Sequence, residues 1–249
     1  MSTAPSTLRP LAAQARTELM LSARQGEQVL VAIGIPLLVL VFFSVVDILP
    51  TGTDDAVDYL VPAVLALAIM SSAMVSLGIA TGFERYYGVL KRLGATPLGR
   101  PRLLAAKLVA TLAVEVLQLA VLMVVGRLLG WHPDVEPVGF VVAVSAGTAA
   151  FAGLGLFLAG RLSGPANLAA CNGLYLLLLL LGGIAVPATE LPSALGALAK
   201  VLPSQALAEV MGDVAGGLDA ASGRAWAVLF GWAVALPLLA AATFRWSPD

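Results

Sequence analysis

Charged residues that could contact a partner lie together in one short segment, residues 82–97. It carries Glu84 and Arg85 near its start and Lys91 and Arg92 further along. Charges of both signs on a short connecting segment allow two interpretations. The segment could be a solvated loop helix anchored by its basic residues, or a docking element for a cytoplasmic partner.

The spacing within this segment predicts an amphipathic helix over about residues 83–95. Arg85 and Arg92 fall on one side, with Glu84 and Lys91 on its flank. The opposite face is apolar, because its members recur at helical spacing: Phe83, Tyr86, Tyr87, Leu90 and Leu93. Gly94 is expected to end the helix, and Pro97 to prevent its return. We expect the apolar face to lie on the rest of the protein and the charged face to point away from it.

A second polar set lies on one face of a long apolar stretch: Lys107, Thr111, Glu115 and Gln118. Glu115 is the only acid expected deep in a membrane. A central charge costs about 2.5 to 3.5 kcal/mol on insertion, but the many Leu and Val residues around it each return about 0.3 to 0.6 kcal/mol. The stripe should therefore face protein or an aqueous cavity. It could form an interhelical hydrogen bond, line a path through the membrane or set a subunit interface.

Composition requires that these residues be carried by membrane-spanning helices. Apolar residues make up 59% of the 249 and charged residues 12%, against about 45–50% and 25% in soluble domains. Six stretches are long enough to span a bilayer: Gln28–Leu49, Leu60–Gly82, Leu103–Leu129, Gly139–Gly160, Ala166–Val186 and Ala225–Phe244. The prediction is an all-α membrane protein with a six-helix domain over residues 28–249. The sequence has no basic patch interleaved with aromatic residues that would indicate nucleic-acid binding. Its single cysteine, Cys171, excludes an internal disulfide.

The basic residues predict the orientation. Eleven of the 14 Lys and Arg residues fall on one side of the predicted spans, and that side includes both chain ends. The positive-inside rule therefore places both termini in the cytoplasm of a multi-pass plasma-membrane protein. Residues 1–27 have the pattern of an interfacial amphipathic helix, with Arg9, Arg16 and Arg24 opposite an apolar face.

Outside the membrane, residues 187–222 form a long connection before the last span. Pro187, Leu191-Pro192 and Leu202-Pro203 divide it into apolar pieces, which predicts two short helices dipping into the outer face. Two packing expectations concern the fourth and fifth spans. A strip of small residues should pack closely against another helix, and two asparagines should make packing hydrogen bonds: Ala143, Gly147, Ala150 and Gly153 in the strip, then Asn167 and Asn172.

The segment 82–97 resembles the conserved cytoplasmic stretch of type-2 ABC exporter permeases. The residues that carry the resemblance are Glu84, Arg85, Gly88, Leu90, Leu93, Thr96, Pro97 and Lys107. The outer proline series, the six-span topology and the N-terminal helix are also similar, so the likeness covers essentially the whole chain. The drug-exporter branch of daunorubicin type, as in actinobacteria, fits better than the polysaccharide branch. One departure is Ala106, where the family usually has Gly.

The resemblance implies a permease subunit that moves a lipophilic or amphipathic substrate, such as a drug, lipid or natural product, out of the cytoplasm or inner leaflet. It also implies two copies of a separate ATPase, which binds ATP and Mg²⁺, and a second permease, identical or related. The chain itself lacks a phosphate-loop motif, so we expect a transport subunit with no catalytic, cofactor or metal site. The resemblance assigns ATPase coupling to one set of residues, Glu84, Arg85, Gly88, Leu90, Lys91, Arg92 and Leu93. It assigns an outer gate segment to another, Pro187, Leu191, Pro192 and Pro203.

Three other functions are weighed against this one. An intramembrane protease needs a membrane-embedded His or a pair of embedded Asp residues, and the only histidine, His132, lies beside Pro133 in a predicted loop. A proton-coupled secondary transporter could use Glu115, although such folds usually carry repeats and none is found here. A non-transporting scaffold is the third. The sequence does not identify the substrate.

Overall fold

The computed structural model describes Arg16, Thr17, Met20 and residues 26–45, 56–94, 100–133, 135–182, 192–215 and 220–246. The regular structure of these residues is helical, which confirms the predicted all-α class. The helices are α1 (Gly26–Val45), α2 (Ala56–Met70), α3 (Leu77–Tyr86), α4 (Val89–Gly94), α5 (Arg100–Leu128), α6 (Pro137–Arg161), α7 (Gly164–Leu181), α8 (Ser193–Ala199), α9 (Pro203–Val214) and α10 (Gly223–Thr243). A π-helical segment, Ser71–Ser76, joins α2 and α3 into one rod.

Five helical rods are long and apolar enough to cross a membrane: Val57–Tyr86, Arg102–Leu128, Pro137–Arg161, Gly164–Leu181 and Gly223–Thr243. They correspond to the second through sixth predicted spans, so the protein is a multi-pass membrane protein. The first predicted span corresponds to α1, a helix of 20 residues. Its apolar part, Ile33–Val45, is shorter than the five rods that can cross a membrane. A sixth crossing therefore stays a prediction. The predicted interfacial helix over residues 1–27 lies almost entirely outside the described residues.

The rod formed by α2, the π segment and α3 is the axis of the bundle. In its most apolar window 83% of the residues are buried, against 22–28% in α5, α7 and α10. Leu65, Ile69, Met70 and Met74 are all fully buried along it. The outer helices instead expose large aliphatic side chains, which are stable there only against lipid or another apolar surface.

Small residues on α6 let neighbouring helices approach it closely. A Cβ atom added to Gly155 would lie 2.6 Å from the carbonyl oxygen of Met74 in the π segment. One added to Gly153 would lie 2.5 Å from the backbone nitrogen of Pro237 in α10. Ala143 and Ala150 are fully buried. The predicted close packing of this strip is confirmed, and it joins α6 both to the axis and to α10.

Two short helices, α8 and α9, lie between the last two long helices, as predicted. Pro192 precedes α8, and Pro203 is the first residue of α9, because a proline needs no intrahelical hydrogen-bond acceptor at a helix start. Pro187 and Leu191 fall outside the described residues.

The helix α9 runs back along the side of α6. At its C-terminal end the carbonyl oxygen of Val214 accepts a hydrogen bond from the backbone nitrogen of Glu136, 3.0 Å away, just before α6 begins. Nearer its start, Leu207 packs against Gly147, well inside α6. Just before α9 begins, the carbonyl oxygen of Val201 accepts a hydrogen bond from the Trp232 indole in α10, at 2.8 Å. The helix α9 thus packs on the long helices α6 and α10. The predicted entry of α8 and α9 into the outer face of the membrane stays a prediction.

The two asparagines of α7 differ from each other. Asn167 is fully buried, and its Nδ2 donates to the carbonyl oxygen of Gly78 in α3 at 2.8 Å, which confirms its predicted packing role. Asn172 is exposed and donates to Leu168 in its own helix. Its predicted interhelical role is wrong, because its position on α7 faces away from the bundle.

Replacing Gly155 by Ala should destabilise the protein by about 1–3 kcal/mol, because the added methyl group meets backbone that cannot move aside. Gly231→Ala in α10 is the matched control, since a Cβ there meets nothing within 4 Å. Thermal unfolding in detergent, followed by the monodisperse fraction, measures both. Equal stability of the two variants would contradict the close contact between α6 and the π segment.

Candidate functional site

The segment expected to be one helix is bent into an elbow. We call residues 83–94 the elbow: the end of α3, a turn at Tyr87–Gly88, and α4. Gly88 has φ of +70°, a left-handed conformation that breaks the helix and favours glycine. The prediction of an unbroken helix is therefore wrong at this turn. A Cβ at Gly88 would meet nothing within 4 Å. Glycine is therefore favoured here by the backbone conformation and not by a lack of space for a side chain.

Arg85 anchors the elbow to the end of α6. Its side chain is 3% exposed, and Nη1 donates to the carbonyl oxygens of Leu162 at 2.8 Å and Ala159 at 3.3 Å. The last carbonyl groups of a helix lack intrahelical partners and carry the negative end of its dipole. The guanidinium therefore satisfies backbone groups at the C-terminal end of α6 with a complementary charge.

Glu84 joins the same elbow to α5. Its Oε1 lies 2.6 Å from Nζ of Lys107, whose side chain is 4% exposed against 27% for that of Glu84. Because Lys107 is almost fully buried, removing Glu84 would leave a cation with little water around it. The ion pair therefore fixes α5 relative to α3, eight residues before Glu115.

The predicted direction of the charged face is thus wrong for Glu84 and Arg85. Helical periodicity assigned Arg85 to solvent, whereas the carbonyl oxygens at the end of α6 compensate for its burial. Leu90 is fully buried, as predicted, but Tyr86 and Tyr87 of the expected apolar face are 47% and 64% exposed. Tyr87, Lys91 and Arg92 are exposed together, and we call these three residues the outer face of the elbow. Leu93 is half-buried.

Deeper in the bundle, the polar stripe of α5 meets partners from two other elements. The Thr148 hydroxyl of α6 lies 2.5 Å from Oε1 of Glu115, and the Ser72 hydroxyl donates to Oε1 of Gln118 at 2.6 Å. Glu115 and Gln118 are fully buried, and Thr111 is half-buried. The expectation that this stripe faces protein is confirmed, and Glu115 makes an interhelical hydrogen bond.

Two partner residues of this site, Ser72 and Thr148, do not stand out in the sequence. Ser72 lies in the π segment, a geometry common at functional sites, yet no periodicity marks it. A cluster of three or more His, Cys, Asp or Glu side chains suited to a metal ion is absent from the described part of the chain. The site therefore consists of one ion pair and one buried guanidinium at the elbow, and of hydrogen bonds from uncharged groups around one buried acid.

A family model of the ABC-2 type transporter matches residues 11–212. The chain belongs to the ABC-2 type transporter family. The match contains the elbow, the polar stripe of α5 with its partners Ser72 and Thr148, and α8, and it ends within α9. No curated protein matches the chain.

Family membership makes this ABC-2 protein the transport subunit of an ABC transporter, a class whose membrane domain is not itself catalytic. It does not favour the alternative of a proton-coupled secondary transporter. The functional roles of Glu84, Arg85, Thr111, Glu115 and Gln118 are not decided by the match and stay predictions.

In this ABC-2 permease, Arg85→Ala should destabilise the elbow by about 1.5–3 kcal/mol, the usual contribution of a hydrogen bond to a charged group. Lys91→Ala is the matched control, because it removes a long cationic side chain from the exposed side of the same elbow. Amide hydrogen exchange of residues 83–94 in nanodiscs should rise in the first variant only. Equal exchange in both variants would show that the buried contacts with α6 do not hold the elbow.

Proposed function

We propose that this permease belongs to an ATP-driven exporter that moves a lipophilic or amphipathic substrate out of the cytoplasm or the inner leaflet. The observation that carries the proposal is the elbow, a charged connection that is locked to two long helices by buried contacts and also presents an exposed face. Such an element can transmit force between a soluble partner and the membrane helices.

The energy comes from a separate ATPase, present in two copies. The chain has no phosphate-loop sequence of its own, and permeases of this family normally work with an ATPase partner and dimerise. Two permease subunits, identical or related, would complete the transporter. ATP and Mg²⁺ then bind in the ATPase.

The outer face of the elbow is the contact that we assign to the ATPase. Tyr87 supplies apolar area, and Lys91 and Arg92 supply two positive charges, so the complementary surface is an acidic groove with an apolar floor. Glu84 and Arg85 are positioning residues. They keep the elbow attached to α5 and α6, so that movement of the ATPase displaces the helices instead of bending the connection.

The orientation follows from the charge distribution along the sequence. The elbow, Arg161 and both termini are assigned to the cytoplasm, with Asp213 on the outer side. In that orientation α8 and α9 enter the membrane from outside, and Pro192 and Pro203 at their starts belong to an outer gate segment. Pro187 and Leu191 are assigned to it from the sequence alone.

Reversing both charges of the outer face, Lys91→Glu with Arg92→Glu, should weaken ATPase binding about tenfold or more, because charge-assisted contacts contribute about 1.5–3 kcal/mol each. The measurement is co-purification and permease-stimulated ATP hydrolysis in nanodiscs with the cognate ATPase. Lys200→Glu, an exposed residue assigned to the outer side, is the control.

Arg85→Ala should behave differently in the same assay. It should still bind the ATPase but lose transport, because the contact surface remains while its anchor to α6 is gone. Normal binding and hydrolysis by the doubly reversed variant would refute the assigned contact. Loss of ATPase binding in Arg85→Ala at equal folded abundance would show that Arg85 is a contact and not an anchor.

Single cysteines placed at positions 91 and 213 in a Cys171→Ala background test the orientation. In intact cells a membrane-impermeant maleimide should label position 213 and leave position 91 unlabelled until the membrane is opened. Labelling of position 91 from outside would reverse the proposed topology and remove the elbow from reach of a cytoplasmic ATPase.

A further inference from the structure

Glu115 is the centre of a closed polar site at the middle of α5. Two hydrogen-bonded pairs lie on neighbouring turns of α5 there: Glu115 with Thr148 of α6, and Gln118 with Ser72 of the π segment. Each of these four side chains is at most 4% exposed. The second carboxyl oxygen of Glu115, Oε2, is buried and has no hydrogen-bond partner among the described residues. A buried polar atom left without a partner is costly, so this oxygen requires an explanation.

No opposite charge on the surrounding elements compensates Glu115. Within α5 the nearest charges are Lys107, about 12 Å from Glu115 along the helix, and Arg127, about 18 Å from it in the other direction. Lys107 is paired with Glu84. The π segment contains no charged residue, and α6 contains none before Arg161 at its end. The helices α1 and α2, on which α5 also packs, carry only the acids Glu27 and Asp58. None of these described elements therefore supplies a cation at the depth of an ionised Glu115.

The hydroxyl group of Thr148 has two acceptors within reach, which leaves a place for a proton on Glu115. The Thr148 hydroxyl lies 2.5 Å from Oε1 of Glu115 and 2.8 Å from the carbonyl oxygen of Val144. The Thr148 hydroxyl group has one hydrogen to donate to these two oxygens, and the carbonyl oxygen of Val144 can only accept a hydrogen bond. When Thr148 donates to Val144, a protonated Glu115 completes the second hydrogen bond. The closed arrangement thus suits a neutral carboxylic acid.

The surroundings offer a lateral route from the membrane to this acid. Val116 and Leu117, the two residues after Glu115, are 61% and 54% exposed. The helix α5 packs mainly on α1 and α2, and the hydrogen bond between Glu115 and Thr148 ties it to α6 at this level. Separation of α5 from α6 would open the site beside an apolar outer surface, where an amphipathic molecule dissolves.

We propose that Glu115, with Gln118, Ser72 and Thr148, binds the cationic group of a lipophilic substrate. The cation replaces the proton: the Glu115 carboxyl loses H⁺ to solvent and keeps the electron pair, so one positive charge leaves as one arrives. The uncharged polar groups then solvate the ion pair. The inference rests on the proposed function only in treating the cation as transported cargo, since the binding itself requires no ATPase.

Equilibrium binding of tetraphenylphosphonium to the full permease in nanodiscs tests the proposal, with triphenylphosphine oxide as the uncharged probe. The wild type should bind the cation more tightly as pH rises, by up to about tenfold per pH unit where proton and cation compete. It should also release up to one proton per cation bound. Glu115→Gln keeps a hydrogen-bonding group next to Thr148 but has no exchangeable charge, so its affinity should fall at least tenfold and lose its pH dependence.

Asp58→Asn, which removes an acid from the first turn of α2, is the matched control and should bind like the wild type. The proposal is overturned by equal cation binding in Glu115→Gln and wild type, by equal affinity for the charged and uncharged probes, or by no saturable cation binding in the wild type. Failure of the ATPase experiments leaves these binding results intact, so the two proposals can fail separately.

Discussion

The contact of the Arg85 guanidinium with the C-terminal end of α6 is the interaction on which the architecture of the elbow depends. A buried cation is unfavourable unless its surroundings supply compensating charge and hydrogen bonds. Here the free carbonyl oxygens of Ala159 and Leu162 supply both. Because this arrangement requires α3 to end beside α6, it fixes where the chain turns. The turn at Gly88 then sets the direction of α4, so that Leu90 is buried while Lys91 and Arg92 are exposed.

Polar contacts continue inward from this point at successive depths of α5. Lys107 pairs with Glu84, Glu115 with Thr148 and Gln118 with Ser72. All three join α5 to the axis rod or to α6, whereas much of the rest of α5 exposes apolar side chains. A movement of the elbow would therefore act on the same helix that carries the buried acid. This gives a physical route from the proposed ATPase contact to the proposed cation site without requiring a long-range signal through lipid-facing residues.

The sequence predicts the helices well because hydropathy and prolines are local properties. Pro192 and Pro203 lie at the starts of α8 and α9, and the small residues of α6 do lie at close contacts. The direction of Arg85 is not predictable in this way, because helical periodicity places a charge in solvent unless a tertiary partner is known. The end of α6, 74 residues further along the chain, is that partner. Ser72 and Thr148 escape notice for the same reason, since an isolated hydroxyl in an apolar stretch has no distinguishing spacing.

The central claim is that the elbow moves together with the bundle during the transport cycle. A disulfide between Tyr86→Cys and Gly164→Cys tests it directly, in a Cys171→Ala background. A Cβ at Gly164 would lie 3.2 Å from that of Tyr86, close to the separation of about 3.8 Å that a disulfide requires. The oxidised protein, compared with the same protein after reduction, should keep ATP-driven transport in proteoliposomes. Transport that stops on oxidation and returns on reduction would show that the elbow must separate from α7, and would contradict the account.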